Sequence, residues 1–195
     1  MSGEQGYSLI ELLVTMVILV IVLGSLTTIF VSGTSAEASL NRRFQAQQNA
    51  RMALDRIRTD IHCATAAQAQ TINTYPGVKL AVANCYGATP TISWCAVQVT
   101  ASPARYALYR SPTTGATTCT SSDAARVLVA DYLTTSSAFT TATIPQFSLQ
   151  RVGLDFTVSV NQTTTLDVYE LADSIVARNS PRCVTAGGCS VPSVP

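Results

Sequence analysis

Six cysteines and one histidine, His62, are the side chains of this sequence best suited to metal binding or covalent chemistry. A zinc site takes about four thiolate or imidazole ligands, and the chain has neither a Cys-x-x-Cys pair nor a second histidine. His62 precedes Cys63, but consecutive side chains of a helix point in different directions, which disfavours a histidine-activated thiolate. The sequence also has no glycine-rich loop of the kind that binds phosphate, and its carboxylates do not follow the spacing of a calcium-binding loop. We therefore expect no enzyme activity, no cofactor and no metal.

The cysteines are better explained as disulfides formed in an oxidising compartment. Sequence alone allows many pairings, and proximity along the chain favours the short loops. The pairings that we expect are Cys85–Cys95 across a turn at Pro90, Cys183–Cys189 near the C-terminus, and Cys63–Cys119 as the remaining pair. The Cys63–Cys119 bond would close the longest loop. By restricting the unfolded chain it would contribute about 4 kcal/mol to the free energy of unfolding. A metal or redox site at Cys183 and Cys189 is the alternative.

A nearly unbroken apolar run, Leu12–Val31, dominates the N-terminal part of the sequence. About 20 helical residues match the roughly 30 Å thickness of a hydrocarbon core, so this segment can cross a membrane. A cleaved secretory signal is the alternative, but such a signal begins with basic residues and ends in a small-residue cleavage site. Here residues 1–6 contain no lysine or arginine, and the polar segment ends before the apolar run begins.

Glu11 lies at the edge of this run, where an unpaired carboxylate is costly unless it has a cationic partner. If the chain were cut after Gly6, the new amine of Tyr7 would lie about one helical turn before Glu11. That amine could neutralise Glu11 in its own chain or in a neighbouring chain with an axial offset. A carboxylate that extends to the membrane interface is the alternative.

The residues around Glu11 read Gly6-Tyr7-Ser8-Leu9-Ile10-Glu11-Leu12-Leu13-Val14. This stretch resembles the cleavage and methylation motif of type IV prepilins and type II secretion pseudopilins, in which Phe and Thr usually follow the glycine. The resemblance implies that a prepilin peptidase cuts between Gly6 and Tyr7 on the cytoplasmic side and methylates the new amine. It also implies that Glu11 guides assembly with other pilin or pseudopilin subunits, at an inner-membrane assembly platform, by pairing with a neighbour's N-terminus. The leader lacks the usual basic residue, and the helix lacks the proline of many major pilins.

Two rules disagree about the topology. Arg42 and Arg43 follow the apolar run and no basic residue precedes it, so the positive-inside rule places the C-terminal part in the cytoplasm. The cysteines require an oxidising space, and the resemblance places the leader in the cytoplasm. We therefore expect a single-pass protein of the inner membrane, in contact with lipid, whose head lies outside the cytoplasm, and which enters a pilus or pseudopilus on assembly.

The segment 36–67 contains no proline or glycine, which predicts that one helix continues over 7–67. Apolar residues recur there at steps near three and four and predict one buried stripe. Its members are Leu40, Phe44, Ala50, Leu54, Ile57, Ile61 and Ala64. Charged residues occupy the other faces, with Arg51/Asp55 and Arg56/Asp60 as i,i+4 pairs. We interpret the arginines of this segment as a solvated helix face rather than as a DNA or lipid contact.

Short β-like runs follow beyond residue 70. The predicted strands are Ile92–Thr100, Arg105–Arg110, Arg126–Leu133, Leu154–Val160 and Thr165–Leu171. They predict a mainly antiparallel sheet, and a long helix whose stripe covers one face of that sheet gives an α+β fold. The resemblance implies the same pilin-like arrangement, divided into a leader (1–6), a membrane-spanning and filament-core helix (7–35) and a head (36–195).

The remaining segments are predicted as loops from their composition. They are Thr113–Ser122, Thr134–Thr143 and Ser180–Pro195. Asn161-Gln162-Thr163 matches an N-glycosylation acceptor, which we expect to be unoccupied.

The net charge of +1, from 12 basic and 11 acidic residues, gives no overall field that would attract nucleic acid or an anionic bilayer. The resemblance of the N-terminal motif, together with the lack of any enzymatic site, implies a structural subunit, a minor pilin or pseudopilin. The alternatives are a membrane-anchored extracellular binding or adhesion domain that never polymerises, and a DNA-uptake pilin whose arginines contact phosphate.

Overall fold

The computed structural model describes residues 8–82, 85–87, 91–112, 118–159 and 168–194. The chain forms two compact units, Met1–Asn41 and Arg42–Pro195, which we describe separately. The described residues form one helix, α1 (Leu9–Cys63), and eight strands. The strands are β1 (Ala66–Ile72), β2 (Tyr75–Ala81), β3 (Thr91–Ala101), β4 (Ala104–Ser111), β5 (Val127–Leu133), β6 (Phe139–Thr141), β7 (Arg151–Ser159) and β8 (Val168–Val176).

All strand pairings of the described residues are antiparallel. Strands β1 to β5 follow one another in the sheet, and β7 then pairs with β5, β6 and β8. A long apolar N-terminal helix followed by a curled antiparallel sheet is the α+β, pilin-like architecture expected from the sequence.

In the second unit, α1 buries a face of small and branched side chains at steps of three and four, which matches the helical period. The buried apolar members are Ala46, Ala50, Ala53, Ile57 and Ile61. The predicted stripe was wrong at Leu40 and Phe44, which are 67% and 57% exposed. Phe44 lies two residues before Ala46, which places it on the opposite side of the helix.

The strand predictions were correct in type but incomplete. The segments β1, β2 and β6 were not predicted, and β6 lies inside the predicted loop Thr134–Thr143. The helix ends at Cys63 instead of residue 67, because Ala66 and Ala67 already pair with β2. Val160 and residues 165–167 of the last two predicted strands lie outside the described residues.

Strand β3 is buried on both of its faces. Ile92 and Trp94 join the core under α1, and Ala96, on the same face by the alternation of the strand, is buried as well. Cys95 and Val97 face the other way. On that outer face they pack with Ile72 and Cys119. All seven residues of 91–97 are buried as a result, although a half-exposed strand would alternate.

The free edge of β1 is covered by side chains from the other end of the sheet. The buried Gln150 side chain accepts the N–H of Ala67 at 2.9 Å and donates to the carbonyl oxygen of the same residue. Thr141 Oγ1 accepts the N–H of Ala69 at 3.2 Å. These bonds satisfy backbone groups of an edge strand and hold the sheet in its curl.

A fully buried carboxylate, Asp60, joins α1 to the sheet inside the second unit. It accepts hydrogen bonds from Arg110 Nε at 2.7 Å, Trp94 Nε1 at 3.0 Å and the Tyr86 hydroxyl at 2.7 Å. The predicted surface pair with Arg56 was wrong, since the carboxylate points into the core and its ion-pair partner is Arg110. A buried charge is tolerated when each of its lone pairs is used, as here.

We predict that Asp60→Asn destabilises the full chain in detergent by about 3–5 kcal/mol, because it leaves the Arg110 guanidinium without its counter-charge in the core. Guanidinium unfolding followed by the fluorescence of Trp94, the single tryptophan, measures the change. Asp55→Asn is the matched control, since Asp55 is 78% exposed and 4.0 Å from Arg58, and we expect a change below about 1 kcal/mol. Equal stability of the two variants would contradict a role for the buried pair.

The same cluster gives the stability a pH dependence. The pKa of Tyr86 is raised above the ordinary tyrosine value of 10.0, first because burial disfavours the phenolate and then because the hydroxyl donates a hydrogen bond to the Asp60 carboxylate. The folded protein therefore retains this proton to higher pH than the unfolded chain. The resulting stability is complete below about pH 10 and is lost as pH rises through the folded pKa.

We predict that Tyr86→Phe costs about 1–2 kcal/mol near neutral pH, through the lost hydrogen bond to Asp60. The difference in unfolding free energy between the wild type and this variant should decrease above pH 10, since only the wild type then loses the contribution of Tyr86. Unfolding midpoints measured from pH 7 to pH 11 test this, with Tyr106→Phe as a control. A stability difference between wild type and Tyr86→Phe that stays constant from pH 7 to pH 11 would contradict this role of Tyr86.

Candidate functional site: the N-terminal helix and its processing motif

The described part of α1 begins next to the predicted processing site. Gly6 and Tyr7 lie outside the described residues. The N–H groups of Glu11 and Leu12 donate to the carbonyl oxygen of Ser8 at 3.0 Å and 3.2 Å, which forms the first turn. The Glu11 side chain is exposed in this turn, where a carboxylate is favoured by the helix dipole by about 0.3–1 kcal/mol.

The apolar run of α1 has no cover within the first unit. Its large hydrophobic side chains are between 50% exposed at Val14 and 70% exposed at Phe30. The most apolar window of the helix has a mean hydropathy of 2.8, and none of it is buried. Such a surface is unstable in water, so the run requires lipid or other apolar helices around it.

The hydroxyl groups of the run are bonded inside the helix. Thr15, Ser25 and Thr27 donate to carbonyl oxygens three residues earlier, at 2.8–2.9 Å, and Thr28 donates to Gly24 four residues earlier at 3.0 Å. These side chains looked like small polar interruptions in the sequence. Because their protons have partners, they add little to the cost of placing the helix in an apolar medium.

Residues 1–27 match the family model described as the prokaryotic N-terminal methylation motif. This motif is the signature of type IV pilin-like proteins, whose precursors are substrates of a prepilin peptidase. Comparisons of the whole chain with curated proteins and with solved structures gave no match. The match covers the first 27 residues, which include the first part of α1, and with the exposed apolar run it fits membrane anchoring and assembly with other pilins.

Two of the three expected disulfide pairings, Cys85–Cys95 and Cys63–Cys119, were wrong. Cys63 pairs with Cys85, and Cys95 pairs with Cys119, with Cα–Cα distances of 5.9 Å and 6.2 Å. Cys95 faces the outer side of β3, away from α1, whereas the Sγ of Cys85 lies 3.7 Å from the carbonyl oxygen of Cys63 at the end of the helix. The alternation of side chains along β3 therefore prevents the expected Cys85–Cys95 bond.

The third pair, Cys183–Cys189, is the one expected from its short spacing, with a Cα–Cα distance of 5.6 Å. The backbone of Cys189 also exchanges two hydrogen bonds with Ile144, at 2.9 Å and 3.0 Å, which fixes the loop to the head. The described chain contains no free cysteine and no group of three or more His, Cys, Asp or Glu side chains placed to hold a metal.

His62 does not act on Cys63. The Nδ1 atom of His62 lies 3.0 Å from the carbonyl oxygen of Val176, and because a carbonyl only accepts, this nitrogen carries the proton. The sulfur of Cys63 is in a disulfide, so it offers no thiolate. The imidazole serves instead to join the end of α1 to β8.

Sequence analysis missed the importance of Asp60, although a signal was present. Asp60 lies three residues after Ile57 and one before Ile61, so it is in phase with the buried stripe. A charged residue at such a position indicates a buried partner. The identity of that partner, Arg110, depends on the fold of the sheet.

We predict that chymotrypsin, which cuts between Cys85 and Cys95 after Tyr86 or Trp94, releases two pairs of linked peptides from the denatured, unreduced chain. These pairs join Cys63 to Cys85 and Cys95 to Cys119, and a single peptide holds the internal bond between Cys183 and Cys189. Mass spectrometry of the protein purified from an oxidising compartment identifies the fragments. A reduced and alkylated sample is the control. A fragment joining Cys85 to Cys95 would contradict the arrangement.

Proposed function

We propose that this protein is a minor pilin or pseudopilin. In this proposal a prepilin peptidase removes residues 1–6 and methylates the amine of Tyr7, and the mature subunit waits in the inner membrane with its head outside the cytoplasm. An inner-membrane assembly platform then transfers it into a filament with other pilin or pseudopilin subunits. The function is assembly, and the division into leader (1–6), filament-core helix (7–35) and head (36–195) follows from it.

The observation that carries the proposal is the coincidence of two features at one helix start. The methylation motif covers residues 1–27, and no part of the most apolar window of the helix, which overlaps this motif, is buried within its own unit. Moving such a helix from lipid into a bundle of similar helices costs little hydrophobic energy, because neighbouring side chains replace the acyl chains. Transfer into water would lose that energy completely.

Glu11 favours the filament over the membrane in this transfer. In an apolar bundle its carboxylate needs a cation, and the amine of Tyr7 on a neighbouring subunit is the group that processing creates. The attraction between the two charges grows as water is excluded, so it is stronger in the filament than at the membrane surface. The pair therefore favours the assembled state and fixes the axial offset between subunits.

The second half of α1 supports contacts between subunits as well. Phe44 and Met52 are 57% and 58% exposed on the side of the helix opposite its buried face. In the second unit this face has no cover from its own sheet. Neighbouring subunits would bury these side chains, which is the reason that we favour a filament over an anchored domain that remains alone.

We predict that Glu11→Ala leaves membrane insertion unchanged and reduces recovery of the protein in purified filaments by about tenfold or more, which corresponds to about 1.4 kcal/mol of lost pairing. Immunoblots of membrane and filament fractions measure both quantities. Glu37→Ala is the matched control, since Glu37 is an exposed acid of the same helix outside the apolar run. Equal recovery of the Glu11 variant and the control would contradict the pairing.

A further inference from the structure

Strand β8 is an edge of the sheet in the second unit, since β7 is its only partner among the strands that the structure describes. The N–H of Ala177 donates to the carbonyl oxygen of Gln150 at 2.9 Å, in the same register as the β7–β8 pair. Hydrogen-bonded residue pairs alternate along an antiparallel ladder. The odd-numbered residues of β8 therefore bond to β7, and the even-numbered residues direct their N–H and C=O groups to the free edge.

One end of this free edge is occupied. The carbonyl oxygen of Val176 lies 3.0 Å from His62 Nδ1, and the N–H of Ser174 donates at 2.7 Å to the side chain of the residue before it. The backbone groups of Glu170 and Ala172 that face the edge have no such partner in the part of the chain that the structure describes. An uncovered strand edge of this kind is a template for another strand.

An apolar shelf borders the free edge on the inner face of the sheet. It consists of Leu54 of α1 and of Tyr169 and Leu171 of β8, which are half-buried and pack against the core. Leu54 lies one helical turn before Arg58, which bonds to Asp173 at 2.9 Å, and the next turn contacts the end of β8, so the helix and the strand run in the same direction. One turn of helix and two residues of strand both measure about 6 Å, which places Leu54 level with Leu171. A strand added at this edge would cover the exposed part of the shelf.

The outer face of the sheet is acidic beside the same part of the edge. Glu170 and Asp155 are exposed, and Asp155 pairs in register with Ala172. Neither carboxylate forms a salt bridge with a residue that the structure describes. A basic side chain on an added strand would lie directly opposite Glu170, which is a favourable cross-strand arrangement, with Asp155 one strand further away.

A second copy of β8 is a poor occupant of this edge. The end near Val176 is occupied, so two β8 strands could pair only through their first halves. Such a pairing brings the two Glu170 side chains close together, and like charges across a strand pair are destabilising. Glu170 therefore protects the edge against self-association and still attracts a basic strand.

We propose that the first half of β8, residues 168–172, binds an extended segment of another polypeptide as an added antiparallel strand. The segment alternates apolar residues, which cover the apolar shelf, with basic residues, which face Glu170. Bonds between the two main chains supply affinity, and the alternating side chains supply specificity. This proposal does not rest on processing or on assembly.

The test uses an amidated octapeptide of alternating lysine and valine with a fluorophore at its N-terminus, and fluorescence anisotropy measures its binding to the full, unprocessed chain in neutral detergent. In an antiparallel addition the lysines lie opposite Glu170 and Ala172, so the main-chain groups of the lysines form the bonds to β8. Methylation of the lysine backbone nitrogens should therefore weaken binding by about tenfold or more. The matched peptide with methylated valine nitrogens should bind within about threefold of the unmodified peptide, since those nitrogens face solvent.

Two variants of the protein test the same contact. Ala172→Pro removes an edge N–H and leaves the bonds to β7 intact, so it should fold and bind the peptide about tenfold or more weakly. Glu170→Lys should also weaken binding about tenfold, because it places like charges across the strand pair. Glu37→Lys, at an exposed acid of α1 in the first unit, is the matched control and should change binding by less than about threefold.

Hydrogen exchange locates the bound peptide. The amide of Ala172 should exchange about tenfold or more slowly with saturating peptide, while the amide of Leu171, already bonded to β7, should not change. Trp94 fluorescence verifies that each variant is folded. Absence of binding, equal affinities of the two methylated peptides, equal effects of Glu170→Lys and Glu37→Lys, or unchanged exchange at Ala172 would overturn the proposal.

Discussion

The two parts of α1 need different surroundings, and this requirement constrains the rest of the structure. In the first unit the apolar run Leu12–Val31 is exposed on every side of its helix, with Phe30, for example, 70% exposed. In the second unit the helix buries one face of alanine and isoleucine against a sheet of its own chain. One sequence thus contains a helix that is complete only among lipids or other helices, and a head that has its own core.

In the second unit a buried ion pair, as well as apolar contacts, joins the helix to the sheet. Asp60 receives four hydrogen bonds, two from Arg110 and one each from Trp94 and Tyr86. A core of this kind tolerates few rearrangements, because any shift of the helix against the sheet would leave a buried charge unpaired. The disulfide from Cys63 to Cys85 fixes the residue before Tyr86 to the end of the same helix.

Much of the architecture could be predicted from the sequence, because the apolar run is long and nearly unbroken and several strands are rich in β-branched residues. Strand β1 (AAQAQTI) could not, because it contains few β-branched or aromatic residues. Its outer edge is covered by Gln150, which lies 83 residues away from Ala67 in the sequence. The cysteine partners were wrong in two cases because chain proximity does not reveal which face of β3 a side chain occupies.

The central claim is that Glu11 is tolerable in an apolar bundle because processing creates an amine at Tyr7. The most direct measurement is the intact mass, with N-terminal sequencing, of the protein isolated from membranes that contain a prepilin peptidase. The account predicts a chain that begins at Tyr7, without residues 1–6 and with one added methyl group. A protein that still begins at Met1 would contradict it, and the apolar helix would then be an anchor for a domain that stays in the membrane.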